Sequence, residues 1–207
     1  HCLVNMCGIN GFTFKDENLI QKMNQKTSHR GPDETDFFVG DNISLGHNRL
    51  SIIDLSDKAH QPMWDHKKEL VIIFNGEIYN FKELRKDLES KYNFQSQSDT
   101  EVILNCYREY GEECVKKFNG IFAFAIWDTR NNELFIARDH IGVKPLYYYQ
   151  KDGKFIFSSE IKAILEHPIK REVDNRAFNL YFQLLYTPEP YTMFKDIKKL
   201  PIASWMK

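Results

Sequence analysis

The first place in this chain where residue type and position could do chemistry is Met6-Cys7-Gly8. If translation starts at Met6 and the methionine is removed, Cys7 becomes the amino-terminal residue and carries both a thiol and a free α-amine. An α-amine has a pKa of about 8, so part of it is neutral at physiological pH and can take the thiol proton, directly or through a water. The thiolate is the reactive form, and a covalent intermediate on it would divide amide hydrolysis into acylation and deacylation. Taken alone, Met-Cys fits equally well an inert cysteine buried in a first strand. His29, in HRGPD, offers a second base for a Cys/His pair. Arg138, Asp139 and Lys144, in ARDHIGVKPLYYY, could be read as phosphate-binding or as a structural turn.

The elements that would position these groups are legible in outline. TDFFVG, ISLGHNRLSIIDL and ELVIIFNG are rich in β-branched and aromatic residues and predict strands. Phe81, Leu84, Leu88 and Tyr92 fall on one helical face, and Asn80 with Glu83 resembles a capping pair. A second helix is predicted from Ser98, where Ser98 and Glu101 form a capping-box pattern, with Gly111 near its stop. After a short helix at about 112–118 come GIFAFAIWD, ELFIARD, PLYYYQ and KFIFSSE, joined by the turns DTRNN and KDG. Helices are predicted from Glu160 to about Glu166 and from near Asp174. Strands joined by hairpins, with helices grouped between them, predict an α+β architecture of antiparallel sheets covered by helices.

Bulk properties remove several function classes. The 207 residues carry 28 Lys+Arg against 29 Asp+Glu, so charge gives no argument for nucleic acid or for an anionic membrane. No apolar run approaches the roughly 20 residues that span a bilayer, and HCLVNMCGINGF lacks the make-up of a signal peptide. The four cysteines Cys2, Cys7, Cys106 and Cys114 do not form a disulfide framework and have no CxxC spacing, so no structural zinc is expected. A reducing, cytoplasmic setting follows as the expectation. No Gly-x-Gly-x-x-Gly, Walker or SGGxDS-type phosphate loop is found.

Nine blocks in order give the chain a stronger identity. MCGINGF, SHRGPD, LGHNRLSIIDL, QPM, FNGEIYN, SDTEVIL, FNGIFAFAIWD, ARDHIGVKPLYYY and FSSEIKAIL, running from Met6 to about Pro201, resemble the class II glutamine amidotransferases, and within them the glutamine-hydrolysing asparagine synthetases. The resemblance implies an N-terminal-nucleophile hydrolase, a four-layer αββα sandwich of two antiparallel sheets flanked by helices. It implies Cys7 as nucleophile, with Asn75 (side-chain amide) and Gly76 (backbone N–H) as the oxyanion hole. Asn-Gly after a strand is also an ordinary turn, and a tight turn is what points a backbone N–H into a cleft. Arg49 is implied to bind the glutamine α-carboxylate, a task suited to the guanidinium fork. Ile52 and Ile53 are implied beside it, and Glu77 and Asp99 are implied to hold the α-ammonium. Asp99 would also stabilise a helix start as a plain structural charge. By the same resemblance His29–Asp33 shapes a loop over the pocket, and Arg138, Asp139 and Lys144 belong to a structural turn.

The implied reaction is glutamine to glutamate and ammonia through a Cys7 γ-glutamyl thioester, with no metal and no cofactor. ATP and Mg are expected only in a synthetase domain, absent from this chain, that would make asparagine from aspartate. A homodimer is a family expectation. The implied organisation is 1–6 as leader, 7–190 as the glutaminase domain and 191–207 as the start of a linker, with the last stretch reading as a chain cut short. RLSIIDL and NGEIYN argue against the aminosugar and phosphoribosyl branches. An amidotransferase with a sugar or peptide acceptor, and a non-catalytic module of the same fold, are the alternatives. LPIAS departs from the more usual LPPG or LPPAS. The residues HCLVN before Met6 are the other departure, because with His1 to Met6 attached the Cys7 nitrogen is an amide and not a base. A form retaining them is expected to hydrolyse glutamine at least about 100-fold more slowly than one beginning at Cys7. Equal rates of ammonia release from the two forms would refute a terminal-amine mechanism.

Overall fold

The computed structural model describes residues 6–50 and 59–207. The chain runs β1 (Gly8–Phe12), α1 (Glu17–Thr27), β2 (Glu34–Gly40), β3 (Ile43–Arg49), β4 (Met63–Trp64), β5 (Leu70–Ile78), α2 (Phe81–Leu88) and α3 (Asp99–Tyr110). A 3-10 turn over Gly111–Lys117 leads to β6 (Gly120–Asp128), β7 (Glu133–Arg138), β8 (Tyr147–Lys151), β9 (Lys154–Ser158), α4 (Ile161–Ile164), α5 (Asn175–Leu184), β10 (Ile197–Lys199) and β11 (Trp205–Met206). Among the described residues the strands form two antiparallel sheets, in the orders β10-β8-β9-β1-β3-β2 and β11-β7-β6-β5-β4.

Side-chain alternation explains the layering. In β5, Leu70, Ile72 and Phe74 join a core with Leu84 and Leu88 of α2 and Val102, Ile103 and Cys106 of α3. Val71 and Ile73, one position out of phase, face Ile9, Ile43, Leu45 and Phe157 of the other sheet. Phe12 and Ile156 turn to the far side and meet Ile20 and Met23 of α1 and Ile164 of α4. Helices, sheet, sheet and helices therefore stack in four layers around three apolar seams, which is the αββα sandwich expected. Both faces of β5 and β6 are covered, so they read as continuous apolar runs rather than as alternating ones.

The helix starts hold, with altered caps. Ser98 caps α3 by accepting the Thr100 N–H at 3.1 Å, but Glu101 does not close a box. Its carboxylate accepts the Gln95 and Ser96 N–H groups instead, both at 2.8 Å. The Asn80 side chain makes no cap on α2; it donates to Lys117 O and accepts from Asn119 N, each at 2.9 Å, and so tethers the turn before β6. The segment 191–207, expected to begin a linker, packs as an edge strand on each sheet: Ile197–Lys199 pairs with β8 and Trp205–Met206 with β7. Beside it, Phe178, Tyr181, Phe182 and Leu185 leave an exposed apolar face on α5.

One polar contact crosses between the sheets near the ends of β3 and β5. His47 is fully buried and its Nε2–H donates to Phe74 O at 3.0 Å. Burial lowers its pKa to about 4, and it lowers that of His167, buried against Met23, to about 4 as well. Both imidazoles are neutral in the folded state and charge more readily when unfolded. Their contribution is therefore complete above about pH 6.5 and is lost as pH falls toward 4, by at most about 3 kcal/mol each. The buried Asp99 carboxyl, raised to about 6, acts in the opposite sense over the same range, leaving a net loss toward acid. Urea midpoints measured from pH 7 to pH 5 are expected to fall, and His47→Gln, which can donate without titrating, is expected to make the fall shallower.

Candidate active site

Cys7 lies one residue before β1, and the β1–β3 register sets Gly8 opposite Asn48. Its thiol is consequently next to the end of β3, where Sγ accepts the Leu50 N–H at 3.4 Å and lies 3.7 Å from Leu50 O. Beneath it, the short polar side chains of Asn10, Asn24, Thr27, Asn48 and Ser158 form a buried network with bonds of 2.6 to 2.9 Å. That network joins α1, β1, β3 and β9 and holds the first strand rigidly. Burial raises the Cys7 thiol pKa, opposed by the Leu50 bond and then by the positive charges of Lys144, Arg49 and Arg30.

Arg49 occupies the same face of β3 as Ile43, Leu45 and His47, the face turned toward the second sheet. It is buried and its Nη1 is 3.3 Å from Glu34 of β2. Ile52 and Ile53 lie outside the described residues.

On the opposite sheet, Phe74 is gripped at both backbone atoms. His47 binds its carbonyl, and Gln61 Oε1 accepts its N–H at 2.6 Å while Gln61 Nε2 reaches Thr100 at 3.3 Å. Asn75 follows, on the face that carries Val71 and Ile73. Its side-chain Nδ2 and Oδ1 are both buried without a hydrogen-bond partner among the described residues. An unpaired buried amide costs roughly 1–3 kcal/mol, so a site that retains one is set up for a partner that comes and goes. Gly76 needs its missing side chain: a Cβ there would stand 2.2 Å from Ile121 O and 2.7 Å from Phe122 Cα.

The end of β5 brings in the acidic residues. Glu77 is exposed. Asp99 is buried at the first turn of α3, and its Oδ2 accepts the Ile78 N–H at 3.0 Å. Burial pushes the Asp99 pKa up to about 6, the charge of Glu77 adds to that, and backbone donors oppose it.

The structure connects these groups through a turn. Asp139 is fully buried and its carboxylate accepts from the backbone of Phe122, Ile141, Val143 and Lys144 at 3.0–3.2 Å. Phe122 is the register partner of Gly76, so this one carboxylate links the Gly76 end of β5 to the Lys144 side of the pocket. Arg138 donates to the carbonyls of Gly142, Lys144 and Leu200 and pairs with Glu189, which agrees with a structural turn. Lys144 does more than was expected of it, since its Nζ reaches Met6 Sδ at 3.0 Å on the Cys7 side.

Arg30, which the sequence placed only within the HRGPD loop, has a part of its own. Its Nε donates to Cys7 O at 3.1 Å, Nη1 reaches Glu160 at 3.2 Å, and its carbonyl accepts the Met6 N–H at 3.0 Å. His29 pairs with Glu160 at 2.8 Å, so its ring is committed away from the thiol. The signal for this loop was Gly31, whose Cβ would lie 2.3 Å from Asn48 O, showing how tightly HRGPD folds over β3.

Comparison with known proteins gives the family of the chain. The glutamine amidotransferase domain model matches residues 6–207, and the chain belongs to that family. It is 42% identical to asparagine synthetase [glutamine-hydrolyzing] 1 of Bacillus subtilis over 96% of this chain, and 43% identical to asparagine synthetase 3 of the same organism over 94%. Asparagine synthetase B of Escherichia coli is 42% identical over 70% of the chain. The chain spans only 33% of the length of each Bacillus relative and 26% of the Escherichia one. In fold, the glutamine phosphoribosylpyrophosphate amidotransferase of Bacillus subtilis superposes with a TM-score of 0.66 over 81% of this chain and 45% of its own, at 21% identity. No helix among the described residues is long and apolar enough to cross a membrane.

The ammonium-binding role that the family resemblance gives Asp99 requires the ionised carboxylate, which is present above about pH 6 and neutralised below it. The KM for glutamine is accordingly expected to rise as pH falls through about 6, and Asp99→Asn should raise KM throughout and flatten that dependence.

Proposed function

We propose that this domain hydrolyses glutamine to glutamate and ammonia through a γ-glutamyl thioester on Cys7. The α-amine of a chain beginning at Cys7 takes the thiol proton, and the thiolate attacks the side-chain amide carbon. The tetrahedral oxyanion forms against the Asn75 amide and the Gly76 N–H. The C–N bond then breaks, the amine carries the proton to the leaving nitrogen, and ammonia departs. Water attacks the thioester by the reverse assistance, releasing glutamate and restoring the thiol. Arg49 takes the α-carboxylate, while Asp99 and Glu77 take the α-ammonium. Ile52 and Ile53 are assigned to the same substrate site by family resemblance alone.

The observation that carries this reading is Asn75, whose amide is buried with neither polar atom paired among the described residues. No step requires a metal or cofactor, because every charge that develops meets a side chain or a backbone N–H. Ammonia is passed to a synthetase domain that activates aspartate with ATP and Mg and forms asparagine. The identity to glutamine-hydrolysing asparagine synthetases roughly three times as long supports that destination. The apolar face of α5 supports it too, being the kind of surface a second domain or a second copy covers. The free thiols of Cys106 and Cys114 suit a reducing, cytoplasmic setting.

Ammonia release from glutamine by protein beginning at Cys7 tests the proposal. Turnover should vanish in Cys7→Ala and fall by about 100- to 1000-fold in Asn75→Ala, with KM changed much less. Persistent turnover in Cys7→Ala would sink it.

A further inference from the structure

Arg30 donates from Nε to the carbonyl of Cys7 itself at 3.1 Å, a contact between groups that a chain beginning at Cys7 retains. In such a chain no peptide precedes the residue, so its backbone is fixed from the carbonyl side alone. The plane of the Cys7–Gly8 peptide then decides where the α-amine and the thiol point. What holds the guanidinium in place is Glu160. The Arg30 side chain is 11% exposed, and among the described residues Glu160 is the carboxylate that pairs with it, Nη1 lying 3.2 Å from Oε1. Glu160 is fixed in its turn. His29 Nε2 shares Oε1 at 2.8 Å, Lys162 Nζ lies 3.1 Å from Oε2, and the Glu160 backbone N–H donates to Ser158 Oγ at 3.0 Å. Ser158 donates to Asn10, within the polar network beneath Cys7. Helix rules do not explain a glutamate here. It stands at the N-cap of α4, where Ser, Thr, Asp or Asn would bond the first turn, yet its side chain makes no bond to the helix and reaches the loop of Arg30 instead.

We propose that Glu160 is a positioning residue for the glutaminase step: its carboxylate locks the Arg30 guanidinium onto the Cys7 carbonyl and so sets where the nucleophile and its α-amine point. The proposal deepens the glutaminase reading and takes Cys7 as nucleophile from it. A guanidinium left in this place without its carboxylate is an uncompensated buried charge, so it swings toward water and releases the Cys7 carbonyl. Among the described residues Glu160 pairs with Arg30, His29 and Lys162, and with none of the groups assigned to the substrate or to the oxyanion. Its loss therefore falls on the chemical step and not on glutamine binding.

The test uses protein beginning at Cys7 and has two readouts. Glu160→Ala and Glu160→Met should each lower kcat for ammonia release by about 10- to 100-fold, the scale of a misplacement of about 1 Å, with KM for glutamine changed by less than about threefold. Glu160→Gln, which keeps an oxygen for Arg30 Nη1, should retain most of the rate. Lys162→Ala, which leaves the Arg30 bond in place, should retain all of it. Independently of turnover, the Arg30 Nε–H, assigned in heteronuclear NMR spectra by its loss in Arg30→Lys, should exchange slowly with water in the unsubstituted protein and in Glu160→Gln. It should exchange rapidly in Glu160→Ala and Glu160→Met. A folded Ala or Met variant with unchanged kcat, or with the Nε–H still protected, would overturn the proposal, and so would a Gln variant as slow as Ala. Protection that depends on Glu160 in a protein that releases no ammonia would uphold the lock on the Cys7 carbonyl and count against the glutaminase reading alone.

Discussion

A neutral imidazole between two sheets sets the geometry on which this site depends. Apolar seams hold layers together without fixing how one slides over the other, because dispersion and burial are nearly indifferent to small shifts. The His47 bond to Phe74 O is directional and fully buried, so it sets the register between the sheet that carries Cys7 and Arg49 and the sheet that carries Asn75. Gln61 secures the same residue from the other side, and through Thr100 adds the helix that bears Asp99. A slip of one residue in β5 would turn Asn75 away from the seam and into the helical layer.

The turn after β7 makes the second connection. Asp139 and Arg138 spend nearly all their hydrogen-bonding capacity on backbone groups, which converts a surface loop into a fixed wall. Through Leu200 and Glu189 the same arginine ties down the chain that leads to β10 and β11. The terminal segment is thereby part of the frame around the pocket, although it was expected to begin a linker.

Much of this was legible in the chain. Motif blocks pointed to Cys7, Arg49, Asn75, Gly76 and Asp99, and the structure brings them to one end of the sandwich. The strand of Asn75 was evident from Leu70–Phe74, but its facing was not, since both of its faces are buried and no polar beat marks them. Local pairs were the weaker guide: Glu101 and Asn80 sit where capping residues should, yet Glu101 binds backbone 6 residues earlier and Asn80 binds backbone 37 residues later. Lys144 was assigned to a structural turn and Arg30 to a covering loop, and their contacts at the amino-terminal residues were missed for a related reason. Their positions beside Met6 and Cys7 arise from contacts spanning 138 and 23 residues, which no spacing rule sees.

Asn75 also has a thermodynamic side. An amide buried and, among the described residues, unpaired at the edge of the inter-sheet seam is a standing debt against folding, and an apolar residue of similar size would fit the same space with less strain on the balance. Selection for a tougher fold alone would therefore erase this residue early. Any lineage in which the site fell idle should drift toward leucine or methionine here, making this single position a record of whether the pocket is still in use.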